Sequence, residues 1–176
     1  MCTAYTHVGA RRRRAMTKKQ TAKVEEPVVA FLIGMRVNAL LRFWEWLPVA
    51  AAMPRMLREL GAHPELGMLG ARTFVSGRVI LVVQYWRSFE QLEHYARAGE
   101  HAHLPAWKAF NQRMRSGSGS TGIFHETYLV GPGQVESVYV DMPSDFGLAG
   151  AVGAIDVRAG KQAARERLAV NETPVA

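Results

Sequence analysis

The chain has 176 residues, of which 48% are hydrophobic and 21% are charged. This length and composition predict one globular domain plus tails, with enough hydrophobic residues for a real core. The single cysteine, Cys2, rules out a disulfide within the chain and favours a reducing, cytoplasmic compartment. A net charge of +7 raises the question of nucleic-acid binding, so the distribution of charge matters.

The positive charge is concentrated near the ends of the chain. Residues 1–26 carry seven Lys or Arg against two glutamates, whereas residues 27–157 carry eleven basic and eleven acidic side chains. We therefore expect 1–26 to be a disordered basic arm, 27–150 to be the folded domain, and 151–176 to be a polar tail. A neutral domain predicts no specific binding of nucleic acid. Met16 offers a second translation start.

Neither secretion nor a membrane span is expected. The arginine-rich start is not followed by the continuous apolar region of a secretion signal. The uncharged stretch WLPVAAAMP (46–54) is far shorter than the roughly 20 residues that a spanning helix needs.

The first half of the domain predicts a strand and then a helix. The run VVAFLIGMRVN (28–38) is rich in β-branched and aromatic residues, which is typical of a strand buried on both faces. Residues 39–60 have helical composition, but Pro48 and Pro54 each remove a backbone N–H. We expect them to kink or divide this helix.

The next segment predicts a hairpin followed by a second helix. Residues 66–88 contain two apolar strands around a turn at Ser76 and Gly77. Ser88 then occupies the N-cap position of FEQLEHYARAG, and Gln91 stands three residues further on, as in a capping box.

The rest of the domain predicts another helical segment and a second hairpin. PAWKAFNQRMR (105–115) is helical in pattern, and SGSGSTG (116–122) is a loop. IFHETYLV (123–130) and VESVYVDM (135–142) flank GPG as two strands. The order β, α, β, β, α, β with one more short strand predicts an α+β, ferredoxin-like split βαβ fold with two helices on one face of the sheet.

Four segments carry a family resemblance: YWRSFEQLEHYAR, HLPAWKAFNQRM, GIFHETYLV and ESVYVDMP. Together they resemble the dimeric α/β-barrel superfamily of small antibiotic-biosynthesis-type monooxygenases, and more narrowly the branch named after the monooxygenase of the fumagillin biosynthetic cluster. The resemblance covers about residues 27–150. It implies a homodimer that joins the open sheet faces of two subunits, with a substrate cavity between sheet and helices. The strands, apolar on both faces, independently favour a covered second face.

His125 and Glu126 stand side by side in GIFHETYLV. Neighbours on a strand point to opposite faces, so only one of them can enter the cavity, and the sequence does not decide which. An imidazole or a carboxylate in an apolar cavity could act as the general base. The alternative is that both side chains make structural hydrogen bonds or face solvent.

Five further side chains are candidates for binding the substrate. The resemblance would assign such residues to hold an enolate or phenolate oxygen while it reacts. The tryptophans equally suit a core or a dimer contact, and Asn38 equally suits a helix cap. The five are Asn38, Trp86, Trp107, Asn111 and Tyr128.

The leading hypothesis is a small monooxygenase, requiring no cofactor, that oxidises a hydrophobic enolisable or phenolic substrate with dioxygen. The alternative is a haem enzyme on the same fold, an oxygenase or an aldoxime-dehydratase-like enzyme, with His103 or His125 as axial ligand. A third is a module that binds a hydrophobic ligand without turnover. The spacing of His101 and His103 alone does not predict a metal site, and His94 is expected to be solvated.

Overall fold

The computed structural model describes residues 18–97, 119–157 and 163–168. The elements among these residues are β1 (Gln20–Ala22), β2 (Val28–Val37), α1 (Phe43–Ala62), β3 (Met68–Ser76), β4 (Val79–Trp86), α2 (Phe89–Arg97), β5 (Thr121–Val130), α3 (Gly147–Val152), β6 (Ala154–Asp156) and α4 (Ala164–Leu168), with a 3-10 turn at Pro64–Leu66.

The main sheet has four antiparallel strands in the order β3, β4, β2, β5. The first and third strands of the βαββαβ unit therefore lie in the centre, and the second and fourth lie at the edges. This confirms the predicted ferredoxin-like α+β fold. Leu57 and Leu60 of α1 pack with Leu92 and Tyr95 of α2 against one face of the sheet, which we call the helix face. The opposite side is called the open face.

Helix α1 is continuous over 20 residues and contains both Pro48 and Pro54. The expectation that these prolines divide it is wrong. A proline inside a helix costs about 3 kcal/mol through its missing hydrogen bond and its steric clash. Leu57 and Leu60, each 1% exposed, bury the second half of the helix against the sheet and offset part of that cost.

At the start of helix α2, one of the two hydrogen bonds of the predicted capping box is present. The Gln91 backbone N–H donates to the Ser88 hydroxyl at 3.2 Å, so Ser88 is the N-cap. The Gln91 side chain does not reach back, and its Oε1 has no hydrogen-bond partner among the described residues. It lies instead against Gly67, whose φ of 96° and lack of a side chain make room for it.

The predicted second hairpin does not form. β5 pairs with β2 alone, and no strand is assigned within residues 131–146, which the structure describes throughout. Tyr139 instead makes an isolated bridge with Gln20, with backbone N···O distances of 2.9 and 2.8 Å. The turn residues GPG are compatible with a hairpin. The backbone hydrogen bonds of Tyr139 are instead made with Gln20, which is distant in the sequence.

The expected boundaries of the arm and the tail are also wrong for the described residues. β1, at residues 20–22, pairs with β6, at residues 154–156, in a second small sheet. Ala22 and Val24 are buried at 2% and 1% exposure. They pack with Val28 of β2 and with Leu148 and Ala149 of α3, and these residues form a second core cluster over part of the open face. Burial of this apolar surface orders residues 18–26.

Candidate functional site

A cavity of about 400 Å³ lies between the helix face of the sheet and helices α1 and α2. This volume is within the range of about 300–1,000 Å³ typical of small-molecule sites. Its lining is mainly apolar, and the polar side chains that reach it are few. The apolar lining includes Phe31, Ile33, Met35, Ile80, Val82 and Trp86 from the sheet, with Val49, Met53, Met56, Phe89 and Leu92 from the helices.

His125 is on the strand face that lines this cavity. In the β2–β5 register it stands opposite Ile33, and Ile123 and Thr127 on either side of it also line the cavity. The imidazole packs near Phe31, with ring centroids 5.9 Å apart. Its side chain is exposed, so a proton can pass between the imidazole and solvent.

Glu126 and Tyr128 lie on the open face, because they alternate with the cavity-lining residues along β5. The Tyr128 hydroxyl donates to Glu126 Oε2 at 2.6 Å. This hydrogen bond, with the charge of the carboxylate, raises the pKa of Tyr128 above its ordinary value. The two side chains do not line the cavity. The structure therefore does not support Glu126 as the general base or Tyr128 as a substrate contact.

Asn38 also lies outside the cavity. Its Oδ1 accepts a hydrogen bond from Arg36, and its Nδ2 donates to the Gly119 carbonyl at 2.9 Å. The side chain therefore ties the end of β2 to the residues before β5. It does not cap α1, whose N-cap residue is Arg42.

The polar centre of the cavity is a pair of side chains on β4, Gln84 and Trp86. Trp86 is fully buried and Gln84 is 2% exposed. The indole Nε1–H of Trp86 donates to Gln84 Oε1 at 2.9 Å, and both residues line the cavity. Trp86 lines the cavity, and its contact with a substrate stays a prediction.

Gln84 is a cavity residue that was not among the predicted site residues. The available signal was one amide side chain within the apolar run VILVVQYW, on the same strand face as a tryptophan two positions later. A buried amide must satisfy its hydrogen-bonding groups, so its presence in a central strand needs an explanation. Its Oε1 is paired with Trp86, while its Nε2 donates to no group among the described residues.

Tyr95 of α2 lines the cavity and also contacts α1. Its hydroxyl donates to Glu59 Oε2 of α1 at 3.0 Å, and its ring centroid lies 5.7 Å from that of Trp86. Burial, followed by the bond to Glu59, raises the pKa of Tyr95 well above its ordinary value near 10. The phenol therefore stays neutral and bridges α2 to α1.

The remaining candidates, His101, His103, Trp107 and Asn111, lie outside the described residues. Within residues 18–97, 119–157 and 163–168, no cluster of three or more His, Cys, Asp or Glu side chains has the arrangement of a metal site. None of the helices that the structure describes is long and apolar enough to cross a membrane.

Three solved structures share low similarity with this chain. A conserved protein of unknown function from Bacteroides thetaiotaomicron, described as a possible oxidoreductase, is 16% identical, with 60% of this chain and 99% of that chain covered and a TM-score of 0.37. SnoaB, a cofactor-independent oxygenase from Streptomyces nogalater, is 12% identical, with 58% and 91% covered and a TM-score of 0.35. A dimeric ferredoxin-like protein from an uncultured marine organism is 14% identical, with 60% and 96% covered and a TM-score of 0.36.

The sequence comparisons agree with each other on one family. A curated relative, "Monooxygenase af470" of Aspergillus fumigatus, is 32% identical over 82 residues, which are 44% of this chain. The match spans only 28% of the length of that relative. The profile of the monooxygenase af470-like family matches residues 28–148, which is well over half of the chain. This protein therefore belongs to the monooxygenase af470-like family.

Proposed function

We propose that this protein is a small monooxygenase that oxidises a hydrophobic enolisable or phenolic substrate with dioxygen and needs no cofactor. The observation that carries this proposal is the position of His125, an imidazole on the wall of a mainly apolar cavity. Membership of a monooxygenase-like family supports the general reaction. The curated relative of the same family is itself named a monooxygenase.

His125 acts in this proposal as the general base. An imidazole can accept a proton near neutral pH. The carboxylate among the described lining residues, Glu93, is held in an ion pair with Arg97 at 2.7 Å. The proton removed from the substrate C–H or O–H is held by His125, and the electron pair stays on the substrate as an enolate or phenolate. The exposure of the imidazole lets it return that proton to solvent or to the product.

The oxidation balances with dioxygen as the sole co-reactant. The carbanion form of the substrate reduces dioxygen, and a C–O bond forms to give a peroxide at that carbon. Protonation of the peroxide and loss of water break the O–O bond and leave a carbonyl. A CH₂ group and one O₂ thus become a C=O group and one H₂O, with all electrons supplied by the substrate.

The test compares two substitutions on adjacent residues of β5. Oxygen uptake is measured with a panel of naphthols, tricyclic phenols and cyclic β-diketones. His125→Ala should lower kcat by about 10²-fold or more, as expected for loss of a general base. Glu126→Gln, on the open face, is the matched control and should keep the wild-type rate. Wild-type turnover in His125→Ala would overturn this mechanism.

The competing proposal is a haem enzyme, in which the His125 imidazole on the cavity wall would be the axial ligand. Haemin titration of the purified protein discriminates between the two. A Soret band that saturates at one haem per subunit and disappears in His125→Ala would favour the haem enzyme. Thermal stabilisation by phenolic ligands without any oxygen uptake would instead indicate the binding module.

We also propose that a second copy of the chain covers the rest of the open face. Phe74 and Phe124 on this face are 38% and 39% exposed, and apolar sheet faces are seldom left in water. Phe74→Glu should convert a dimer into a monomer in light scattering after gel filtration. Val75→Glu is the control, since Val75 is also exposed but lies on the helix face, opposite Ile80. A monomeric wild-type protein would contradict this assembly.

A further inference from the structure

We propose that Gln84 determines the specificity of the cavity by donating a hydrogen bond from Nε2 to a carbonyl or ether oxygen of the substrate. The substrate would carry this oxygen at the end remote from the hydroxyl or enol that His125 deprotonates. This inference rests on the proposed function, and it names the chemical class of the substrate: an elongated apolar phenol or enol with a second, hydrogen-bond-accepting oxygen.

The orientation of the Gln84 amide is fixed by its neighbour on the same strand. An amide has two ends, a carbonyl oxygen that accepts and an NH₂ group that donates. Trp86 Nε1 is only a donor, so the group it contacts at 2.9 Å is the carbonyl oxygen. The NH₂ group is therefore directed away from Trp86, and it has no acceptor among the described residues.

A donor that lines an apolar cavity favours a ligand that supplies an acceptor. Gln84 is 2% exposed and lines the cavity, and no described residue accepts from its Nε2, so a molecule that enters the cavity can supply the acceptor. A ligand with an acceptor atom pairs with this donor, whereas a purely apolar ligand would keep water away from it and leave it unpaired. The cavity therefore discriminates by the presence of an acceptor atom.

The sheet register sets the distance between this donor and the base. Gln84 on β4 stands opposite Phe31, and His125 on β5 stands opposite Ile33, two residues further along β2. The two residues are separated by two inter-strand spacings across the sheet and by two residues along the strand direction. These separations place their Cα atoms on the order of 12 Å apart. Both side chains project from the same face, so a single-ring phenol cannot reach both. Two or three fused or linked rings can.

Two probes with the same skeleton test the inference by fluorescence titration of the full chain. The first, 6-acetyl-2-naphthol, has the acceptor oxygen remote from its hydroxyl, and the second, 6-ethyl-2-naphthol, lacks it. The wild-type protein should bind the acetyl compound about tenfold more tightly, as expected for one hydrogen bond from a buried donor. Equal affinities, or binding of neither probe, would overturn the inference.

Substitutions locate this preference at the amide. Gln84→Met should abolish the preference, so that the two probes bind with about equal affinity. Gln84→Glu should have the same effect, because it still offers Trp86 an acceptor but has no NH₂ group. Gln134→Met is the matched control, since Gln134 binds the Gly131 backbone N–H outside the cavity and should leave the preference intact. A tenfold preference that survives in either folded Gln84 variant would refute the assignment.

The outcomes separate this inference from the proposed function. His125→Ala should stop oxygen uptake but keep the preference for the acetyl probe. If His125→Ala retains full turnover while Gln84→Met loses the preference, the oxygenase mechanism fails and the donor role of Gln84 stands. If His125→Ala is inactive while the wild-type protein shows no preference, the mechanism stands and the role of Gln84 is refuted.

Discussion

Two hydrogen-bonded pairs in this protein have the same spacing along a strand but lie on opposite faces of the sheet. Trp86 donates to Gln84 on the helix face, and Tyr128 donates to Glu126 on the open face. Each pair joins residues two positions apart, because every second residue of a strand projects from one face. The first pair is buried and the second is exposed.

The difference shows that the environment, not the spacing, decides what such a pair does. Inside the cavity, a hydrogen bond fixes the amide and leaves one donor for a ligand to satisfy. On the open face, water competes for both groups, so the bond contributes little to stability. We therefore expect substitutions on the helix face to have large effects and those at the open-face pair to have small ones.

The largest expected effect is that of Trp86→Ala. Trp86 is fully buried, contacts the ring of Tyr95 and holds Gln84, so its truncation leaves a cavity and an unpaired amide oxygen. Such substitutions cost about 3–5 kcal/mol in the free energy of unfolding. Urea denaturation measures this loss. A loss below about 1 kcal/mol would show that the helix-face core is not organised around this side chain.

The second prediction concerns a place where the open face is tightly packed. A Cβ added at Gly34 would lie 2.5 Å from Phe124 Cε1 and 2.9 Å from the Ile80 carbonyl oxygen. The ring can move but the backbone oxygen cannot, so Gly34→Ala should cost about 1–3 kcal/mol by denaturation. Gly122→Ala is the control, because its nearest neighbour would be 3.9 Å away. Equal stability of the two variants would contradict the close packing of β2 against Phe124.

A third prediction uses pH to separate the buried tyrosine from an exposed one. The pKa of Tyr95 is raised in the folded state, so its contribution is complete below the unfolded value near 10 and is lost as the pH rises above it. Tyr95→Phe should lose about 1 kcal/mol at pH near 7, through the missing bond to Glu59.

The difference in unfolding free energy between wild type and Tyr95→Phe should then shrink as the pH rises above about 10, because the wild type alone carries this ionisable phenol. Denaturant unfolding at a series of alkaline pH values measures it. A constant difference across the series would mean that Tyr95 is not held neutral in the folded state.

The smallest expected effect is that of Tyr128→Phe, which removes the exposed hydrogen bond to Glu126. Surface substitutions of this kind change stability very little, because water replaces the lost hydrogen bond. Thermal and urea unfolding should both show a shift near zero. A loss comparable to that of Tyr95→Phe would indicate that the open face is shielded from water by a second subunit in solution.

Several local features were predictable because their signals are local. The strands of the main sheet, the N-cap at Ser88 and the ferredoxin-like order follow from apolar runs, turn residues and capping chemistry. The continuity of α1 through Pro48 and Pro54 was not predictable, because the local cost of proline is outweighed by packing against the sheet.

The fold class, the family and the presence of His125 and Glu126 on one strand all follow from the sequence. The tertiary structure alone decided which of the two faces the cavity, because period-two alternation gives two faces without saying which one the helices cover. It also decided the pairing of β1 with β6, whose partners are over 130 residues apart, and the role of Gln84. These features depend on contacts between distant segments, which no local pattern encodes.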